Sequence, residues 1–267
     1  MNAAVNTLSI TQPGIANHPV VTPERWIAER KKLLAREKEL THLRDQIAEQ
    51  RRALPWVRID KEYLFDTPVG KRTLAELFEG RSQLMVQHFM LGPGWEQGCP
   101  SCSFMADHTD GMQIHLEHRD ITFVAVSRAP MAEIERFHQR MGWKFKWVSS
   151  NGNDFNYDFH VSFTPQDRVN GEVYYNFGMT KFPAEEAPGI SLFYKNEAGE
   201  IFRTYSTFGR GVEVMMGTYN LLDLTPRGRD EEGLSYGMEW VRHHDRYEPA
   251  PVARAAPAAG SCCAAHS

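Results

Sequence analysis

The residues best suited to chemistry are two thiols three positions apart, in Cys99-Pro100-Ser101-Cys102. The apolar run 82–91 before them reads as a buried strand and 92–98 as a loop, and a helix is expected to start near Cys99. Unpaired N–H groups in the first turn of such a helix, together with its dipole, stabilise a thiolate and pull a cysteine below the free value of about 8.5. Cys99 is then the nucleophile and Cys102 the thiol that resolves the bond it makes. The same spacing also serves a metal site or a pair of buried structural thiols, and the chain has no second CxxC to complete a four-cysteine zinc site.

Other metal-capable residues surround this motif in sequence. His108 and His115, seven apart on the expected helix over 99–118, share a face, so Cys99, Cys102, His108 and His115 form an alternative copper or zinc set. A second candidate is Cys262-Cys263 with His266 on a low-complexity tail, which could bind a soft metal or relay a disulfide to Cys99. The redox reading needs no cofactor. No G-x-G-x-x-G, P-loop or H-E-x-x-H motif points to nucleotide or zinc-protease chemistry.

The elements that must position the pair alternate in type. Strands are expected at 56–59, 63–65, 82–91, 121–127, 145–149, 190–194 and 201–205, with helices at 73–78, 99–118 and 130–141 and a hairpin turn at 195–199. The order strand, helix, strand, helix, strand, then hairpin is that of a thioredoxin fold, an α/β class with a parallel βαβ half. Thr22-Pro23 is a helix start, and Trp26, Leu33, Leu40, Ile47 and Leu54 recur every seven residues, so 23–54 reads as one long amphipathic helix that packs on its own body or on a partner subunit. The expected organisation is a flexible 1–22, a helical arm 23–54, a thioredoxin-like domain 55–247 and a flexible tail 248–267. The stretch 151–160 reads as an aromatic loop that fills core or walls the dithiol, and Arg203, Arg210 and Arg227 to Arg229 as surface charge.

Composition narrows the class. At 267 residues, 42% hydrophobic, 24% charged and with a net charge of −4, the chain fits a globular protein and neither a membrane span nor a nucleic-acid binder. The first residues lack the basic start and apolar core of a signal peptide, so the expected compartment is a reducing cytoplasm, where CxxC is catalytic or regulatory. The expected partners are protein or small-molecule thiols and disulfides, with a homo-oligomer formed through the arm.

Four separated motifs, 89–104, Asp107-His-Thr-Asp-Gly111, 124–130 and 219–230, resemble the DUF899 family of thioredoxin-like proteins over about residues 23–247. The resemblance implies a thioredoxin-like fold and dithiol-disulfide oxidoreductase activity, with Cys99 as attacking and Cys102 as resolving thiol. It also implies a proton acceptor for Cys102 at His88, a shielding aromatic at Trp95 and a cis proline facing the disulfide at Pro188, although the order Pro188-Gly189-Ile190 also suits a simple turn. The threonine and proline that precede a peroxidatic cysteine are absent from 95–99, which disfavours a peroxiredoxin-type mechanism.

Overall fold

The computed structural model describes residues 17–248. The expected flexible tail with Cys262, Cys263 and His266 lies outside the described residues, as does most of the expected flexible N-terminal stretch.

Helix α1 spans Pro23–Arg52. Thr22 is its N-cap, the side-chain oxygen accepting from the Arg25 amide, and Pro23 occupies the first turn where its missing N–H costs no bond. No residue of α1 is buried, and Trp26, Leu33 and Leu40 of the seven-residue stripe face solvent. The arm therefore does not lie on its own body, one of the two placements its stripe allowed.

The body is one eight-stranded sheet. Its strands are β1 (Val57–Arg58), β2 (Leu64–Thr67), β3 (Gly70–Thr73), β4 (Gln83–His88), β5 (Ile121–Ser127) and β6 (Lys146–Ser149), and, after a separate small ribbon of β7 (Val173–Tyr175) and β8 (Gly178–Thr180), β9 (Gly189–Lys195) and β10 (Ile201–Phe208). The order is β1-β10-β9-β4-β5-β6-β2-β3. Strands β4, β5 and β6 run parallel, and β9 pairs antiparallel with both β4 and β10. Helix α2 (Pro100–Thr109) with the short α3 (Gln113–Glu117) connects β4 to β5, and α4 (Met131–Met141) connects β5 to β6. This βαβαβ unit followed by an antiparallel hairpin is the thioredoxin-like fold the element order predicts.

Two local expectations change, and one open alternative is decided. The helix over 99–118 breaks at 110–112, where the Asp110 carboxylate turns away to accept the Lys144 and Phe145 amides at 2.5 and 3.0 Å. The segment 73–78 is the end of a β2–β3 hairpin followed by a single tight turn over Glu76–Phe78. The aromatics of 151–160 fill core: α5 (Phe155–Asp158) carries Phe155, which stacks at 4.5 Å on Phe159, and both are buried.

Successive strand residues face opposite sides of a sheet, so β4 divides its side chains between two cores. Leu84 and Val86 join Phe155, Phe159 and Phe193 on one side. Phe89, just past the strand, joins Cys102, Met105, Phe137 and Trp147 on the other. The dithiol belongs to the second core.

Candidate active site

Cys99 is the N-cap of α2, with Pro100 filling the first helical position. Two backbone features place it there. The Cys99 amide donates to the Met90 carbonyl at 3.0 Å, tying the turn back to the end of the first core strand. Gly98 permits the approach, because a Cβ at that position would sit 2.5 Å from the Phe89 ring and 2.8 Å from the Phe137 ring. The Gly98 carbonyl in turn accepts from buried His243 Nε2 at 2.8 Å, and His243 Nδ1 accepts from Arg140 at 3.3 Å, which fixes one neutral tautomer. Burial also holds His243 below the usual imidazole value.

Both thiols are free, and they are unequal. Cys99 is half-buried, whereas Cys102, one turn inside the helix, is 1% exposed. The neighbouring Cys102 thiol, as a potential donor to the Cys99 sulfur, lowers Cys99 most, and the backbone amides of Cys102 and Ser101 add to the effect against the opposing pull of desolvation. Cys99 is drawn down to about 7. Burial first, then the Cys99 partner, pushes Cys102 well above the ordinary thiol value. One thiol is therefore poised to ionise near neutral pH beside a second that holds its proton.

The pair opens onto a cavity of about 760 Å³. Its floor is Met90, Cys99, Cys102 and Met105, one wall is Tyr175, Phe182 and Pro188, and the other wall comes from residues 209–238. The Tyr175 hydroxyl donates to the Pro188 carbonyl at 2.7 Å, joining the small ribbon to the start of β9. The far wall is held by His108, whose Nδ1–H donates to the Phe104 carbonyl at 2.6 Å while Nε2 accepts from the Thr218 amide at 2.9 Å, at the start of α6 (Gly217–Leu222).

The sequence-derived residues separate on this map. Cys99, Cys102 and Pro188 meet at one cavity. The Ala187–Pro188 bond is trans, since the described residues contain no cis peptide, and Gly189 begins β9 in register with His88. Pro188 is thus a wall residue in neither of the two conformations expected for it, the cis form or a Pro-Gly turn. Trp95 packs against the core that holds Cys102 but is absent from the cavity lining.

His88 is on the wrong face of β4 for a proton acceptor to Cys102. It is buried with its ring 5.7 and 5.6 Å from Phe155 and Phe159, hydrogen-bonded through Nε2 to Ser191 Oγ at 2.8 Å. Its neighbour Gln87 faces α2 instead, donating from Nε2 to the Cys102 carbonyl at 3.2 Å. Burial pushes His88 down to about 3, so it is a neutral core residue at ordinary pH.

The alternative copper or zinc set does not assemble either. Both His108 nitrogens are occupied, His115 lies on the separate α3, and among the described residues no group of three or more His, Cys, Asp or Glu is placed to hold a metal ion. The far cavity wall lies outside the site residues that the sequence singles out. Its signal was available in the 219–230 motif, where Tyr219, Asp223 and Arg229 now line the cavity, and Arg229 is no surface charge but lies 4.1 Å over the Tyr219 ring.

Comparison with solved structures finds distant likenesses. Peroxidoxin BcpB from Mycobacterium tuberculosis is 10% identical with a TM-score of 0.38, covering 59% of this chain and 91% of that one. A peroxiredoxin Q from Xanthomonas campestris is 12% identical with a TM-score of 0.39, covering 59% and 90%. A yeast mitochondrial 1-Cys peroxiredoxin is 15% identical with a TM-score of 0.37, covering 64% and 78%. No curated protein matches the chain. The model of DUF899, described as a bacterial protein of unknown function, matches residues 15–247, and the chain belongs to that family.

Proposed function

We propose that this protein is a thiol-disulfide oxidoreductase that works through Cys99 and Cys102. The observation that carries the reading is the asymmetry of the pair: a half-buried Cys99 with its thiol drawn down to about 7 beside a buried Cys102 pushed up. Exchange needs that inequality, because the attacking sulfur must be a thiolate near ambient pH and the resolving one must wait until a mixed disulfide forms.

In the reducing direction the Cys99 thiolate attacks one sulfur of a disulfide R–S–S–R, forming Cys99–S–S–R and releasing RS⁻. Cys102 then gives up its proton and attacks the Cys99 sulfur, closing the intramolecular disulfide and releasing the second thiol. Two electrons pass from the dithiol to the substrate, and the reverse sequence oxidises a dithiol. Gln87 holds the Cys102 carbonyl during this exchange and so fixes the first turn that presents both sulfurs. No cofactor enters the scheme, and a reducing cytoplasm would keep the pair cycling. Among the described residues no helix is long and apolar enough to cross a membrane. We assign α1 to self-association.

The test is a redox titration of the purified protein against dithiothreitol buffers, followed by the mass of the peptide bearing both cysteines. A reversible two-electron transition confined to Cys99 and Cys102 is expected. A pair that stays reduced under every buffer, or oxidises only to intermolecular dimers, overturns the reading.

A further inference from the structure

The cavity walls carry five charged side chains, Arg210, Glu213, Asp223, Arg229 and Glu231, and their pairing leaves one charge over. Arg229 donates to Asp223 at 2.9 Å and to Glu213 at 3.1 Å. Arg210 donates to the same Glu213 at 2.8 Å. Both cations are thereby paired with protein carboxylates, Arg229 half-buried and Arg210 at the exposed rim, and three carboxylates against two cations leave the lining one negative charge in excess.

Glu231 has no such partner: among the described residues it stands in no ion pair. One of its oxygens, Oε1, accepts from the Tyr219 hydroxyl at 2.8 Å and from Trp240 Nε1 at 3.4 Å, two neutral donors that aim the carboxylate without neutralising it. The other oxygen, Oε2, lies beside Gly237, where a Cβ would come within 2.8 Å of it. A half-buried carboxylate aimed by two neutral donors and held in no ion pair, in a cavity that also contains a nucleophilic thiol, is suited to a cationic group on the molecule that meets the thiol.

The volume speaks to size. About 760 Å³ is within the range of sites for small molecules, and Met90, Met105, Met216 and Met238 give it an adaptable apolar lining. A small free disulfide reaches Cys99 in such a space without bringing a folded backbone with it. We infer that the cavity takes a low-molecular-weight disulfide or thiol carrying an amino group, with its ammonium on Glu231 and its sulfur on Cys99. This rests on the exchange reading above and adds to it the class of substrate and the residue that selects it.

The probes are three small disulfides of similar length and different charge: cystamine, hydroxyethyl disulfide and dithiodipropionate. Each is mixed with the reduced protein, and the rate of loss of the Cys99 thiol is followed by quenching and mass spectrometry. Wild type should react with cystamine faster than with dithiodipropionate by a factor on the order of ten or more, the value for one partly buried charge pair. Glu231→Gln, which keeps the acceptor for Tyr219 and Trp240, should bring that ratio down about tenfold. Glu197→Gln removes the same charge from the exposed β9–β10 turn, outside the cavity lining, and should leave the ratio as in wild type. Equal rates for the three disulfides in wild type overturn the inference without recourse to any variant. So does a ratio that Glu231→Gln does not move, or that both variants move alike. Failure to react with any of the three overturns the exchange reading itself, a result distinct from equal reactivity.

Discussion

The Gln87 side chain donates from Nε2 to the Cys102 carbonyl at 3.2 Å, from the last part of β4 into the first turn of α2, and its own Oε1 is buried without a partner. This contact joins the strand to the turn that holds both thiols. Gln87→Ala removes a buried side chain and leaves a void beside Cys102, so it should destabilise the protein by about 2–3 kcal/mol and slow intramolecular disulfide closure. Urea denaturation and the rate of closure after mixing with hydroxyethyl disulfide measure the two effects. Unchanged closure in a destabilised variant would make Gln87 a packing residue only.

Burial of His88 as a neutral ring should weaken the fold in acid. Its folded value of about 3 is below the unfolded value of about 6.5, so the unfolded chain binds a proton that the native state refuses. The contribution is complete above about pH 6.5 and is lost progressively as pH falls toward 3, at about 1.4 kcal/mol per pH unit. His138 and His243 are depressed by burial in the same direction. His88→Gln should therefore flatten the stability profile between pH 6.5 and 4.5 by about 2–3 kcal/mol relative to wild type. Parallel profiles from urea midpoints would show that His88 is not buried as a neutral ring.

The contrast between Gln87 and His88 also shows what was legible in the sequence. Element order, the start of α2 at Cys99 and the span of β5 follow from apolar runs and punctuation, and Ile121–Ser127 coincides with its expected bounds. Which of two adjacent polar residues faces the thiols does not follow, because both sides of β4 are covered by core and an apolar run buried on two faces carries no alternation to read. The far wall of the cavity was illegible for another reason. Tyr219, Arg229 and Glu231 meet the dithiol only through long-range packing, through contacts such as His108 with Thr218 that join positions about a hundred residues apart.

The Cys99 pKa depends first on its neighbour. Removing the thiol donor with Cys102→Ala should raise the Cys99 value from about 7 by roughly one unit or more, since the largest lowering contribution goes with it. Cys102→Ser retains a hydroxyl donor and should shift it less. The pH dependence of iodoacetamide alkylation reads both variants. Identical profiles for wild type and Cys102→Ala would assign the lowered value to the helix start alone.

Helix α1 presents Leu33 and Leu40 on a stripe that no described residue buries, with Leu33 55% exposed. A solvent-facing apolar stripe with a seven-residue repeat fits a second copy of the same helix. Leu33→Glu with Leu40→Glu in the full chain should convert an oligomer to a monomer in light scattering while Cys99 alkylates at the wild-type rate. A monomeric wild type would remove α1 from any role in self-association.

The order of the two thiols is the centre of the account, and trapping tests it most directly. Cys102→Ser is incubated with cystamine, and the adduct is counted by mass spectrometry before and after dithiothreitol, beside Cys99→Ser treated identically. The account predicts a near-stoichiometric mixed disulfide on Cys99 in Cys102→Ser that reductant releases, and almost none in Cys99→Ser, where the remaining thiol is buried and protonated. Equal adduct on both variants, or adduct on Cys102 alone, would contradict it.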